Sequence, residues 1–239
     1  MSLPSEPVPQ VLADALFRPV RAGNAFEETM ERMLQAIRLG VVPPGGRLPP
    51  ERELAARLGV SRVTLREALR ALQEAGYVES RRGRYGGTFV RPTSADNLPL
   101  PPPGDLEDTL TLRLALETGA AEAAAARALT PQSRRHLRAR LDDCTAAPLA
   151  DYRRTDSRLH LAIAEATGAP SLTGAVADVR TRLNALLASI PLIPTNIEHS
   201  DDQHRAIIDA ILAGDPVAAR TAMAEHISGT ASLLRGFLA

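Results

Sequence analysis

The sequence predicts a mainly α protein in two parts. The first is an N-terminal winged helix-turn-helix with one small β-hairpin, and the second is a C-terminal all-α, six-helix antiparallel bundle. Three observations lead there. Residues 47–90 read as two short amphipathic helices joined at Gly59-Val60, then a stretch that turns at Gly76 into a basic hairpin. Residues 91–105 pack five prolines into fifteen positions, an extended, semi-rigid composition that cannot join a core. After Asp105, Ala- and Leu-rich segments follow one another with a proline or glycine at each break.

In chain order, residues 1–25 hold four of the 19 prolines and little periodicity. They read as an extension with a short helical turn around Val11–Phe17. The winged helix-turn-helix domain is expected over 26–90. Phe26, Met30, Met33 and Ile37 fall at i, i+4, i+7 and i+11, one face of a first helix. Gly40 ends that helix, and Pro43-Pro44-Gly45-Gly46 forbids another there. On the candidate recognition helix Ser61 can cap the start, and Leu65, Leu69 and Leu72 share a face. Tyr77-Val78 and Thr88-Phe89-Val90 supply two short strands. The proline-rich linker covers 91–105, and residues 106–239 form the helical domain. Its six helices are expected at roughly 105–129, 131–146, 149–167, 170–190, 196–213 and 216–236. They are separated at Thr130-Pro131, Pro148, Gly168-Ala169-Pro170, Pro191 with Pro194, and Gly214-Asp215-Pro216.

Composition fits an ordinary globular chain, with 44% hydrophobic and 23% charged residues over 239 positions. Net charge is zero but unevenly spread: residues 1–91 hold 14 Arg against 10 acidic residues, and residues 92–239 hold 14 against 18. Every basic residue is Arg, which fits a GC-rich genome and carries no functional weight. Cys144 stands alone, so an intrachain disulfide is excluded, as suits a reducing cytoplasm. No apolar run approaches the roughly 18–20 residues of a membrane span, and the start lacks the pattern of a secretion signal. A cytoplasmic protein is expected.

Arg62 and Arg66 lie one turn apart near the start of the recognition helix, off its apolar face. That is where such a helix meets base edges, and the guanidinium fork pairs with guanine O6 and N7. Arg70 continues the row too far from the start for base reading. Arg52, on the preceding helix, is placed for the phosphate backbone. Arg81, Arg82 and Arg84 crowd the hairpin tip, where Gly83, Gly86 and Gly87 allow close approach to phosphate or the minor groove. A row of arginines on a helix is more often a solvated face. Here it coincides with helix-turn-helix spacing and a basic wing, so double-stranded DNA is the expected partner.

The run LPPERELAARLGVSRVTLREALRALQEAGYVESRRGRYGGTFV resembles the DNA-binding domain of the GntR family of bacterial transcription regulators over residues 26–90. The resemblance implies DNA contacts at Arg52, Arg62, Arg66 and the wing glycines Gly83, Gly86 and Gly87; Ser61, Thr64 and Arg82, which lie beside them, are expected to join the interface. Two positions depart from the family pattern. Pro50 stands where a capping Ser is usual, and Thr64 replaces a frequent Pro.

All five histidines follow residue 135. Asp156 and His160 are four apart on one helix face, and His204 and His226 lie on two later helices. Three imidazoles and a carboxylate in a bundle core would suit a first-row dication; a lone histidine is more often a satisfied core or surface residue. His136, flanked by arginines, reads as surface, and His199 faces away from His204 on the same helix. This domain is similar to the FCD domain of the FadR subgroup, and its six helices favour the VanR-like branch. The resemblance implies that Asp156, His160, His204 and His226 bind a divalent metal, Zn or Ni, which holds a small carboxylate effector.

The stripe 106, 110, 113, 117, 121, 124 of the first bundle helix reads Leu, Leu, Arg, Glu, Ala, Ala. Arg113 and Glu117 thus sit within an apolar face, where a charge needs a partner. Either they pair with each other, or Arg113 grips an effector carboxylate, with Glu117 and Asn184 beside it. Arg180 and Arg182 are further residues that could line such a cavity. The expected protein is a ligand-responsive transcription regulator, a repressor, acting as a homodimer on a palindromic operator. A metal-dependent enzyme fused to a DNA-binding module is the alternative, but no HExxH, GxSxG or Walker motif supports it. An architectural DNA binder with an inert helical domain is a third reading.

Overall fold

The computed structural model describes residues 19–20, 23–38, 42–83, 86–91 and 105–238. The expected turn around Val11–Phe17, the stop at Gly40 and residues 92–104 of the proline-rich stretch lie outside the described residues. Contacts divide the chain into two compact units, Met1–Leu100 with Ser232–Ala239, and Pro101–Ala231.

The first unit contains α1 (Ala25–Arg38), α2 (Glu51–Leu58), α3 (Arg62–Glu74), β1 (Val78–Arg81) and β2 (Gly87–Val90). The expected face of α1 is buried at Phe26, Met30, Met33 and Ile37, and so is Leu34. Leu34 is covered because residues 232–238 pack here. A Cβ built on Gly236 would fall 2.9 Å from the Glu31 Cα and 3.1 Å from a Leu34 methyl. Phe237 meets Tyr77 edge-to-face at 5.7 Å. These last two helical turns group by contacts with the first unit, where Leu233, Leu234, Phe237 and Leu238 are apolar and buried.

The α2–α3 turn closes at Gly59, whose φ of 68° lets its N–H reach back to the Ala55 and Ala56 carbonyls. The Ser61 hydroxyl then accepts from the Thr64 N–H at 3.0 Å and starts α3. Pro50 caps α2 without a side-chain hydrogen bond, and Glu51 and Glu53 in the first turn complement the helix dipole instead. Leu65, Leu69 and Leu72 are buried as their spacing requires.

β1 and β2 pair antiparallel, from Val78 opposite Val90 to Arg81 opposite Gly87. A third segment was not legible in the sequence. Leu48 N–H donates to the Thr88 carbonyl at 2.9 Å, and Val90 N–H to the Gly46 carbonyl at 2.9 Å. This pairing is non-local and lies next to Pro43-Pro44-Gly45-Gly46, which carries turn signals and no apolar alternation.

The second unit holds α4 (Asp105–Ala125), α5 (Pro131–Thr145), α6 (Tyr152–Ala166), α7 (Pro170–Ala188), α8 (Pro194–Ala213) and α9 (Pro216–Leu238) as far as Ala231. Four of these six helices begin on proline, where a missing N–H costs nothing. Thr130 caps α5 through its hydroxyl, and Gly214 ends α8 with a φ of 73°. Leu149–Asp151 forms a 3-10 turn before α6, so that helix starts three residues later than its apolar pattern suggests. Leu137, Leu159, Ile163, Ile207, Ile211 and Met223 meet in one buried cluster. This core leaves the facing sides of α4, α6, α8 and α9 to a set of polar side chains.

Candidate metal centre and nucleic-acid interface

Four helical turns converge on that polar set. The α6 period puts Asp156 and His160 one above the other, α8 contributes His204, and α9 contributes His226. One ligand atom from each of the four lies within 4.8 Å of the others, and all four residues are buried. The His204–His226 ring centroids are 4.5 Å apart, and His160 stands 5.4 Å and 5.2 Å from these two rings. His160 Nε2 is 3.6 Å and His204 Nε2 3.3 Å from the same Asp156 Oδ1. Yet both nitrogens of His160 and of His204 lack a well-directed hydrogen bond, at 2% and 0% exposure. Buried polar atoms are seldom left so. A cation bound between them would use these lone pairs, so the donor set fits a first-row dication. The FCD-type cluster read from the sequence is thus a buried His/Asp constellation able to hold a metal.

Two guanidiniums and a second carboxylate surround it. Arg113 Nε approaches Glu117 Oε2 at 3.3 Å, and its Nη2 lies 3.5 Å from His226 Nε2. Glu117 Oε2 also sits 2.8 Å from His160 Nδ1, at ion-pair distance but out of line for a hydrogen bond. Arg180 donates to Asp156 Oδ2 and, at 3.2 Å, to the Ser157 hydroxyl. Its Nη1 is 3.8 Å from Glu117 Oε1. Arg113 Nη1 and Arg180 Nε have no hydrogen-bond partner although both residues are buried.

Burial and neighbouring charges oppose one another in this cluster. Burial works to raise the Glu117 pKa, but the charges of His160, Arg113 and Arg180 outweigh it and hold the carboxyl below its ordinary range. For Asp156 burial is likewise overcome, chiefly by Arg180 and then by His204 and His160. Burial opposes charge on His204, yet its polar contacts with Asp156, Asp201 and Cys144 raise it well above the usual imidazole value. Burial and then the charges of His204, His160 and Arg113 push His226 well below it. Burial lowers Arg113, partly offset by Glu117, whereas Asp156 and Glu117 keep Arg180 raised despite its burial.

The structure brings most of the sequence-derived set together. Asp156, His160, His204, His226, Arg113 and Glu117 share one cluster. Asn184 stands one side chain away: its amide donates to the Ser157 hydroxyl at 3.0 Å. Arg182 turns instead to Asp105 and Asp108 at 3.0 and 2.6 Å. His136 is exposed on α5, 3.5 Å from Glu165. Arg180 is central, though it had been only one of several possible lining residues. Its signal was present, because it shares a helical stripe with the buried Val176, Val179, Leu183 and Leu186. Asp201 and Gln203, which flank the cluster on α8, had no sequence signal of their own.

The residues expected from the sequence to contact DNA lie in the first unit. Arg52, Ser61, Arg62 and Arg66 are exposed, and Thr64 is half-buried with its hydroxyl 2.9 Å from that of Ser61. Arg66 pairs with Glu51 at 2.9 Å, both exposed. Arg70 pairs with Glu74, consistent with an intramolecular role. On the wing, Arg82 and Gly83 are exposed, while Arg81 stacks over the Phe89 ring at 4.4 Å. Gly83 adopts φ 103°, which a side chain resists. A Cβ on Gly86 would lie 2.4 Å from the Arg81 carbonyl oxygen, so the tight wing needs glycine there.

A reader carrying a helix-turn-helix and wing, joined to a helical domain with a buried histidine cluster, defines a class of transcription regulator. Residues 26–90 match the bacterial regulatory proteins of the gntR family, and residues 108–229 match the FCD domain. The chain belongs to the GntR family of DNA-binding transcription regulators, with a C-terminal FCD domain. A protein provisionally named as the L-lactate dehydrogenase operon regulatory protein of Escherichia coli is 35% identical, over 88% of this chain and 86% of that one. The transcriptional repressor NanR of Cronobacter sakazakii is 33% identical, over 88% and 85%. Among solved structures, Streptococcus agalactiae GntR is 29% identical over 86% and 98%, with a TM-score of 0.47. The family and these relatives are regulators of transcription, not enzymes. No helix among the described residues is long and apolar enough to cross a membrane.

Proposed function

We propose that this protein is a cytoplasmic, metal-assisted sensor of a small carboxylate that represses transcription as a homodimer on a palindromic operator. The observation that carries the sensing half is the buried set Asp156, His160, His204 and His226, with four imidazole nitrogens left without directed hydrogen bonds. These residues would hold a divalent ion, zinc or nickel by donor type. When bound, the ion supplies a Lewis-acid anchor for a carboxylate. Arg113 offers the second hold: its Nε is engaged by Glu117, and its Nη1 is free within the buried cluster. Arg180 shields Asp156 and keeps it ionised, as a ligand must be. The name of the lactate-operon relative supports the carboxylate class, and the name of the NanR relative supports repression.

On the output side, Arg62 and Arg66 read base edges, with Ser61 and Thr64 beside them. Arg52, Arg82 and the wing residues Gly83, Gly86 and Gly87 meet the backbone. Asn184, through Ser157, supports the Asp156 side of the cavity. The alternative of a metal-dependent enzyme gains nothing from the site, since every carboxylate in contact with the cluster is already paired with a guanidinium or an imidazole. A thermal-shift screen of small organic and sugar acids, run with and without chelator, tests the proposal. Stabilisation by a carboxylic acid that disappears on chelation is expected. Stabilisation unaffected by chelator would remove the metal from the sensing role.

A further inference from the structure

Each of the three clustered histidines has a different polar group at its outer nitrogen. His160 Nδ1 faces Glu117 Oε2 at 2.8 Å, His204 Nδ1 faces Asp201 Oδ1 at 3.8 Å, and His226 Nδ1 lies 3.2 Å from Gln203 Oε1. In every case the nitrogen left for the interior is Nε2. For His160 and His204 that atom already looks onto Asp156 Oδ1, at 3.6 and 3.3 Å. Asp201 is itself held, because the Tyr152 hydroxyl donates to the same Oδ1 at 3.4 Å. Glu117 is held by Arg113 and Arg180. Of these three contacts only that of His226 is a hydrogen bond; the Glu117 and Asp201 oxygens lie beside Nδ1 of His160 and His204 without aligned geometry. An imidazole that turns its Nδ1–H to such an acceptor presents the Nε2 lone pair on its other side.

We propose that Glu117, Asp201 and Gln203 form an outer ring of positioning residues that set all three imidazoles with Nε2 inward. The inference rests on the metal-sensing reading above. It changes the role of Glu117, which acts on the ion through His160 instead of touching the effector. It also decides between two ligand sets. Cys144, Asp201 and His204 form a second group of close potential donors. An ion there would take Asp201 away from Tyr152, and would leave both buried nitrogens of His160 without a directed partner. Asp201 therefore serves the four-residue site from outside.

Histidine-selective ¹⁵N labelling of the full-length, zinc-loaded protein tests this directly. Long-range ¹H–¹⁵N spectra are expected to show three zinc-bound imidazoles, each protonated at Nδ1 and coordinated through Nε2. Coordination of any of the three through Nδ1, with zinc retained, overturns the outer ring while leaving the metal site intact. Wild-type protein that retains no zinc against a weak chelator overturns both. Asp201→Ala is expected to weaken zinc affinity about ten- to a hundredfold in a chelator competition, with Asp201→Asn recovering most of it because its amide oxygen still accepts from Nδ1–H. Failure of Asn to recover affinity while the variant is folded counts against positioning. In cobalt-substituted protein, a thiolate charge-transfer band would put the ion on Cys144 and overturn the assignment.

Discussion

Arg66 and Arg113 each pair with a glutamate, and the two pairs do opposite work. Arg66 Nε meets Glu51 at 2.9 Å with side chains 68% and 42% exposed, whereas Arg113 Nε meets Glu117 at 3.3 Å with both almost wholly enclosed. The first pair is screened by water, worth about 0–1 kcal/mol at most, and easily exchanged for a phosphate or a base. The second cannot be left open, because a buried charge without its partner carries a large desolvation cost. The reader unit thus keeps its arginines available for an external polyanion. In the helical unit Arg113 and Arg180 are instead committed to the buried carboxylates Glu117 and Asp156, which they hold ionised.

That contrast is broken most severely at Arg180. Arg180→Ala strips the buried Asp156 and Glu117 of a common partner, and should cost about 3–5 kcal/mol of stability, seen as a lower midpoint in denaturant titration. A cost below about 1 kcal/mol would mean that water reaches the cluster freely. His204→Ala should abolish stoichiometric metal retention, measured by elemental analysis, and blunt effector response while operator binding persists. Loss of all DNA binding would instead assign His204 a folding role.

On the reader side the effects are smaller and fall on affinity. Arg62→Ala and Arg66→Ala should each cost about 1–3 kcal/mol of specific binding with unchanged thermal stability. Gel-shift titrations with equal operator affinity in both mutants would overturn the base-reading assignment. Ser61→Ala removes the cap on Thr64 N–H, and a loss of about 1 kcal/mol in unfolding free energy is expected. Glu51→Ala should be the mildest: losing its share of the helix-dipole interaction costs about 0.3–1 kcal/mol, and DNA binding should not weaken, since Arg66 is freed. Weaker binding in that variant would show that Glu51 positions Arg66 for its target.

Much of this is legible in the sequence. Pro131, Pro170 and Pro216 marked helix starts because proline is tolerated where the N–H is already without an intrahelical partner; Pro194 reads as part of a break, yet its helix starts on it, two residues before the expected 196. Gly59 and Gly214 marked ends because both must enter the left-handed region. Asp156 and His160 were readable as a pair because a helix stacks residues four apart. By contrast, the Leu48–Thr88 and Gly46–Val90 hydrogen bonds join segments forty residues apart through backbone atoms, which leave no side-chain pattern. Leu34 lies outside the stripe Phe26, Met30, Met33, Ile37, and its burial follows from residues 232–238, far away in the chain.

Local chemistry, then, determined the family, the two-part fold, most helix limits, the cap at Ser61 and the Asp156–His160 pair. All of these depend on residues a few positions apart, or on motifs written contiguously. Only the tertiary structure decided that three histidines from three helices meet, that Arg180 joins Arg113 inside, and that Arg182 does not. It also brought Glu117, Asp201 and Gln203 to the outer nitrogens of those histidines. Helical period limits which face a side chain can take, but which faces oppose one another is settled by packing the whole bundle.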